Sequence, residues 1–144
     1  MTLPPGKYFR PEEFACHDAA RTPYPVEWLD RWTRLVGLLD AIREAWGSGI
    51  YVVSGYRTRE WNDHLIAADK ARGSHGVASG SQHLAGRAAD ICPVSGPREA
   101  GRLYDVIVKL DDPRLGGLAL YPRSGWVHVD TYTENGHLRT WAGS

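Results

Sequence analysis

A carboxylate inside an apolar run is the feature that most constrains how this chain can fold. Asp90 stands in the middle of residues 88–92, where its neighbours are alanine, isoleucine and cysteine. A short apolar run of this kind predicts a buried β-strand. An ionised carboxylate is costly to bury unless it meets a partner. The fold must therefore bring a compensating group to Asp90, either a bound cation or an arginine such as Arg57 or Arg87.

Two histidines are placed to meet that carboxylate. His83 precedes Asp90 by seven residues, and Gly86 between them permits the turn from a loop into the strand. Farther along the chain, the alternation of a second strand puts His128 and Asp130 on one face. Two imidazoles and one carboxylate leave a fourth position open, which is typical of catalytic zinc. Taken alone, each histidine is more often a satisfied core residue than a ligand.

An arginine lies at a position suited to anions. Arg57 ends the sequence Ser-Gly-Tyr-Arg at 54–57, between a predicted strand and a predicted helix. Backbone N–H groups at the start of a helix favour anions. Arg57 is therefore a candidate to grip a carboxylate or to stabilise a developing oxyanion. Pairing with a surface acid is the alternative.

The spacing of apolar residues predicts an α+β domain. Helices are predicted at 26–46, 58–71 and 97–110. Strands are predicted at 50–53, 88–92, 117–121 and 126–132, with an edge strand at 138–141. Residues 1–25 are predicted to form an irregular arm docked on the core, and 72–82 a long polar loop of a kind that is often functional. At 144 residues, 1–144 is predicted to be one domain with a small, mainly antiparallel sheet.

Charge and cysteine content exclude several classes of protein. Lys+Arg and Asp+Glu balance at 17 each, which argues against a nucleic-acid partner. No apolar run approaches the roughly 20 residues of a membrane helix, so no membrane span is expected. Cys16 and Cys92 form no Cys-x-x-Cys motif, which excludes a zinc ribbon. Buried free thiols are favoured for this pair, and a disulfide stays open.

Three motifs in fixed order resemble a known family. They are Ser-Gly-Tyr-Arg at 54–57, Ser-x-His-x-x-Gly-x-Ala-x-Asp at 81–90, and Val-His-Val-Asp at 127–130. Together they resemble the D-Ala-D-Ala carboxypeptidase-type zinc peptidases, the LAS metallopeptidases of the hedgehog/DD-peptidase superfamily. Residues 8–17 also resemble the arm of small members, many of them from phages. The likeness covers about residues 8–141 and implies a hedgehog/DD-peptidase-like fold.

The resemblance implies roles for individual residues. One zinc ion per chain would be held by His83, Asp90 and His128. Arg57 matches the arginine that assists substrate binding and the transition state. Ser81 matches a serine of the substrate cleft, and we expect Tyr56 to line that cleft as well.

One position departs from the family pattern. Many members carry Glu or Asp three residues before the last zinc histidine, and this chain has Gly125 there. Asp130, on the same strand face as His128, is the nearest candidate for the general base. It could equally fix an imidazole or Arg57 from behind. His75, in the long loop, is a weaker candidate for a base or a lid residue.

The resemblance implies hydrolysis of peptide bonds in peptidoglycan stem peptides or cross-links, by a carboxypeptidase or an endolysin-like endopeptidase. The alternatives are a catalytically silent zinc-binding module for cell-wall peptide or protein, and a phage structural protein. The first residues lack a signal-peptide pattern. We therefore expect cytoplasmic synthesis and action on the wall after release, through phage lysis or from a virion. Periplasmic or extracellular action is expected if a leader was removed. The expected oligomeric state is a monomer.

Overall fold

The computed structural model describes residues 2–74 and 76–143. Its three α-helices are α1 (Leu29–Trp46), α2 (Arg59–Ala71) and α3 (Ala100–Leu110). Its five strands are β1 (Ile50–Ser54), β2 (Ala88–Pro93), β3 (Gly117–Tyr121), β4 (Trp126–Asp130) and β5 (Arg139–Ala142). Short 3₁₀ turns occupy Pro11–Phe14, Val26–Trp28 and Pro97–Glu99. The predicted α+β class is confirmed.

Two helices begin three residues later than predicted, α1 at Leu29 and α3 at Ala100. In both cases a 3₁₀ turn precedes the α-helix, and a proline stands at or just before the start of that turn. First turns often tighten in this way, because their N–H groups have no partner within the helix. α1 ends at Gly47, whose φ of 76° is the left-handed conformation that suits glycine.

Helix α2 buries a different face from the one its apolar residues indicate. Thr58 caps the helix, because its hydroxyl accepts a hydrogen bond from the Trp61 backbone N–H at 3.1 Å. The helical spacing of its large apolar residues places Trp61 and Leu65 on one face. Both are only half-buried and line an open cleft. Among the residues of α2, all of them described, only Asn62 is buried.

The sheet has the strand order β1-β2-β4-β3-β5. Every neighbouring pair is antiparallel except β3 and β5, which are parallel. The predicted edge strand is therefore confirmed. Strand β2 lies between β1 and β4, so Asp90 stands opposite Ser54 on one side and His128 on the other. This register brings three separate parts of the sequence to one point on the sheet.

The core lies on the face of the sheet opposite to the side chains of Asp90 and His128. Helices α1 and α3 pack there against the apolar side chains of β2, β3 and β4, among them Ile91, Leu118, Val127 and Val129. Phe9, Phe14 and Cys16 of the N-terminal arm are buried, and Phe9 and Phe14 belong to the core. Cys16 and Cys92 are both buried free thiols. No helix within the described residues is long and apolar enough to cross a membrane.

Candidate metal centre and cleft

His83, Asp90 and His128 form one buried group. One ligand atom from each can be chosen so that all three lie within 4.8 Å of one another. The Asp90 carboxylate lies between the two rings, with Oδ2 3.3 Å from His83 Nε2 and Oδ1 3.1 Å from His128 Nδ1. The structure thus brings together the three residues that the sequence singles out.

The turn that carries His83 depends on a glycine. Gly86 has a φ of 69°, and a Cβ at this position would lie 2.6 Å from Trp28 and 2.9 Å from the Tyr24 hydroxyl. That hydroxyl donates to the Gly86 carbonyl at 2.5 Å. Only glycine fits both this conformation and this close approach. The turn directs the His83 side chain towards Asp90 in β2.

Each imidazole is held by its nitrogen that points away from Asp90. His83 Nδ1 donates to the Gly55 carbonyl at 2.7 Å, because a carbonyl can only accept. His128 Nε2 lies 2.8 Å from Asp130 Oδ2. These contacts leave His83 Nε2 and His128 Nδ1 facing the Asp90 carboxylate. Metal-binding histidines are fixed in this same manner by a carbonyl or a carboxylate behind the ring.

Asp130 is fully buried, with no exposed surface. Besides the contact with His128, its Oδ1 accepts from the Tyr132 backbone N–H at 3.0 Å and from Arg139 Nη2 at 2.5 Å. Gly117 lies opposite in β3, where a Cβ would come within 2.7 Å of Arg139 Nη2. The carboxylate is therefore engaged at both oxygens, behind the His128 ring.

Electrostatics in this group centre on the buried carboxylate. Burial alone would raise the pKa of Asp90, but His83 and hydrogen bonds from both rings hold that pKa well below its usual range. Burial lowers the pKa of His83. Burial also opposes protonation of His128, yet hydrogen bonds to Asp130 and Asp90 raise its pKa to about 9. A buried anion between two imidazoles is a donor set that fits a divalent ion such as zinc.

Arg57 lies beside the group. Its Nη2 is 3.4 Å from Asp90 Oδ2, its Nε donates to Ser54 Oγ at 3.1 Å, and its Nη1 donates to Asn62 Oδ1 at 3.3 Å. The side chain is 11% exposed. Burial lowers the pKa of Arg57 while Asp90 opposes that shift, and a guanidinium stays charged in proteins. The sequence alone did not indicate Ser54 or Asn62 as its partners.

The group lies at the base of a cleft of about 700 Å³. One wall is the segment 76–82, which includes Ser81. Another part of the lining is aromatic and consists of Tyr121, Trp126 and Trp141. Trp141 lies against His128 with ring centres 5.0 Å apart. The three candidate ligands thus line the same cleft as this polar segment and these aromatic side chains.

The other predicted site residues lie in different places. Ser81 lines the cleft, and its Oγ accepts from the His83 backbone N–H at 3.2 Å. Tyr56 packs instead against Tyr24 and Trp28, with ring centres 6.3 and 5.8 Å away. It is absent from the described residues that line the cleft. His75 lies outside the described residues.

A comparison with protein-family models decides the family. The model for peptidase M15 matches residues 7–130. The chain belongs to the peptidase M15 family. This result confirms the resemblance to the zinc peptidases of that superfamily, and the matched residues include all three candidate ligands.

Curated relatives of this M15 chain carry names of wall-acting enzymes. It is 37% identical over 94 residues to "Probable peptidoglycan L,D-endopeptidase MepK" of Haemophilus influenzae, covering 65% of this chain and 43% of that protein. It is 35% identical over 113 residues to "Peptidoglycan L,D-endopeptidase MepK" of Escherichia coli K12, covering 78% and 52%. The chain thus spans about half the length of the curated relatives it matches. No solved structure matches it.

Gly125, the position where many zinc peptidases of this type carry an acid, has no room for one here. Its φ is 83°, and a Cβ would collide with the Pro97 side chain. Two residues of β5 lie beyond the residues that the family model matches. Trp141 packs against the His128 ring, and Arg139 contacts Asp130 behind that ring. The signal that could have indicated Arg139 is the buried Asp130, which needs a counter-charge.

Proposed function

We propose that this M15 peptidase hydrolyses peptide bonds in peptidoglycan, using a zinc ion held by His83, Asp90 and His128. One observation carries the proposal: the three ligand atoms lie within 4.8 Å at the base of an open cleft. Both rings are already oriented by contacts behind them, so the donor set is organised for an ion. When bound, zinc supplies Lewis-acid polarisation and lowers the pKa of water toward about 7.

Arg57 is proposed to stabilise negative charge on the substrate. Its guanidinium is largely buried and held by Ser54, Asn62 and Asp90. A charged donor held in a partly dry site stabilises a developing oxyanion more strongly than it would in water. A substrate carboxylate is the other anion that a guanidinium can hold there.

Asp130 is proposed to position His128 and to act on the substrate only through it. The sequence left two roles open, general base or positioning group. Both carboxylate oxygens are engaged, and the His128 ring stands between Asp130 and Asp90. A carboxylate behind a metal-binding imidazole fixes the ring and raises its basicity.

The substrate bond most worth testing first is an L,D cross-link. The relatives from Haemophilus influenzae and Escherichia coli are named as peptidoglycan L,D-endopeptidases. D,D-endopeptidase and D-Ala-D-Ala carboxypeptidase activities differ only in the bond cut, and the product masses distinguish them. Action on the bacterial cell wall is part of this proposal.

The test is digestion of defined substrates. The zinc-loaded protein is incubated with purified sacculi and with muropeptides that carry L,D or D,D cross-links, with and without a chelator. Mass spectrometry of the products is expected to show cleavage that the chelator abolishes. Cleavage that survives complete removal of zinc would contradict the metal role.

A second candidate function is a catalytically silent module that binds cell-wall peptide through zinc. The observation that favours it is the absence of an acid at Gly125 together with the full engagement of Asp130. Intact substrates across all cross-link chemistries, with zinc firmly bound, would support this module and overturn the hydrolase.

A further inference from the structure

Asn62 is an amide buried where a helix usually buries an apolar residue. It has no exposed surface, and it is the buried residue of α2. Its Oδ1 accepts from Arg57 Nη1 at 3.3 Å, and its Nδ2 donates to the Ala78 carbonyl at 2.9 Å. A guanidinium only donates and a carbonyl only accepts, so these two partners fix the orientation of the amide.

We propose that Asn62 is a positioning residue that couples Arg57 to the cleft wall formed by residues 76–82. The proposal rests on the hydrolase function above, because it assigns Asn62 a role in that reaction. The Asn62 side chain sets the position of the Arg57 guanidinium, which faces the substrate's negative charge. It also sets the position of residues 76–82, which bound the cleft. Loss of the Asn62 side chain is therefore expected to disturb both Arg57 and the wall.

The wall depends on α2 for its position. Three contacts tie it down: Val77 N–H to Asp69 Oδ2 at 3.0 Å, the Ala78 carbonyl to Asn62, and the Ser79 carbonyl to Arg59 Nη1 at 2.8 Å. Its described residues are small and mostly exposed, so they add little packing of their own. Among these contacts, the Asn62 contact is the one that also reaches Arg57.

Arg57 is held by two neutral partners besides Asp90. In the proposed metal site Asp90 is a ligand, so its carboxylate is shared between the ion and Arg57. The neutral groups Ser54 Oγ and Asn62 Oδ1 then remain to orient the guanidinium. Among the described residues, the Ser54 side chain hydrogen-bonds to Arg57 and to no residue of the wall. A change at Ser54 therefore tests the Arg57 half of the Asn62 role separately.

Four variants divide the role into its parts. Asn62→Leu removes both hydrogen bonds with little change in volume. Asn62→Asp keeps an acceptor for Arg57 and removes the donor to Ala78. Ser54→Ala removes a hydrogen bond to Arg57. Asp69→Ala removes the hydrogen bond to Val77 in the wall, together with the ion pair between Asp69 and Arg72.

The kinetic readout is the split between kcat and KM on a cross-linked muropeptide. Asn62→Leu is expected to lower kcat/KM roughly 10- to 100-fold, because it removes a hydrogen bond to a charged group. Ser54→Ala should lower kcat, since Arg57 acts on transition-state charge. Asp69→Ala and Asn62→Asp should mainly raise KM, since a wall that contacts bound substrate contributes to binding.

Two further readouts do not need activity. Amide hydrogen exchange in residues 77–79 is expected to quicken in both Asn62 variants and in Asp69→Ala, and to stay unchanged in Ser54→Ala. Zinc affinity should stay at the wild-type value in the Asn62 variants, since Asn62 touches none of the three ligands.

These measurements distinguish a failure of the proposed Asn62 coupling from a failure of the proposed hydrolase function. Unchanged kcat, KM and exchange in Asn62→Asp would overturn the coupling, even if Asn62→Leu failed to fold. If the wild-type protein cut no substrate, the hydrolase proposal would fail. The exchange of residues 77–79 would then still show whether Asn62 holds the wall.

Discussion

The two halves of the cleft are built by different means. The ligand half lies on the central strands β2 and β4 and on the turn before β2, and its residues His83, Asp90, His128 and Asp130 are at most 7% exposed. The wall half, residues 76–82, is mostly exposed and is held to α2 by three polar contacts. We infer that the sheet holds the candidate metal ligands in place. The contacts between residues 76–82 and α2 instead shape the cleft through which a substrate reaches those ligands. The two halves meet at Arg57.

The rigidity of the ligand half follows from its place in the sheet. Asp90 has a paired strand on each side, so its backbone is hydrogen-bonded in both directions. The side-chain network continues without interruption from His83 through Asp90 and His128 to Asp130 and Arg139. A buried hydrogen-bonded network of this kind is stiff, and losing one member leaves its neighbours unpaired. Substitutions there should cost more than substitutions in the wall.

The largest effect is expected from His83→Ala. Removing one of three ligands should abolish stoichiometric zinc binding, and chelator-sensitive cleavage with it. Metal analysis of the purified protein measures the first quantity and muropeptide digestion the second. His137→Ala, which changes an exposed histidine away from the cleft, is the matched control. Full zinc occupancy in His83→Ala would remove this residue from the ligand set.

The next largest effect is expected at the junction of the two halves. Arg57→Ala should retain zinc and lose roughly 10²- to 10³-fold in kcat, as for other donors that face a developing oxyanion. Arg57→Lys keeps the charge without the fork that Ser54, Asn62 and Asp90 hold, so it should recover only part of the loss. Steady-state kinetics on one muropeptide compares the two. Near-normal kcat in Arg57→Ala would limit this residue to a structural role.

A third prediction separates the two roles open to Asp130. Asp130→Asn should weaken zinc affinity roughly 10- to 100-fold, as expected for a group behind a metal-binding imidazole. Saturating zinc should then restore most of kcat. A competition assay with a zinc indicator gives the affinity. If kcat stays low at full zinc occupancy, Asp130 is the general base and not a positioning group.

The smallest effect is expected from Arg139→Met. Arg139 contacts Asp130 and the Tyr132 carbonyl from β5 and does not reach the three ligands. Its loss should weaken zinc affinity less than Asp130→Asn does, because Asp130 keeps its bond to the Tyr132 N–H. The same competition assay applies. An effect larger than that of Asp130→Asn would show that β5 stabilises the ligand half by some route other than Asp130.

The sequence indicated the ligand half better than the wall half. His83, Asp90 and His128 stood out because a carboxylate in an apolar strand and a histidine on an alternating strand are visible in one dimension. Strand pairing then brought them together. The positions of the helices and strands followed from apolar periodicity in the same way, with the largest errors at the first turns of α1 and α3 and at the end of β4.

Apolar periodicity could not identify the residues that hold Arg57 and Asp130, namely Asn62, Ser54 and Arg139. Asn62 lies on a helix whose apolar residues indicated a different buried face. Its burial follows from two long-range contacts, to Arg57 and to Ala78, that no spacing along the helix encodes. Arg139 lies in a parallel edge strand, and its contact with Asp130 follows from how β5 pairs with β3. Tyr56 was expected in the cleft, but its ring packs against other aromatic side chains.

The most direct test is a zinc titration of the chelated, metal-free protein during digestion of an L,D-cross-linked muropeptide. The predicted result is a cleavage rate that rises from zero and reaches its plateau at one zinc per chain, as the single His83–Asp90–His128 group requires. His83→Ala should stay at zero throughout. Turnover by the metal-free protein, or firm binding of one zinc with no turnover of any cross-link, would contradict the central claim.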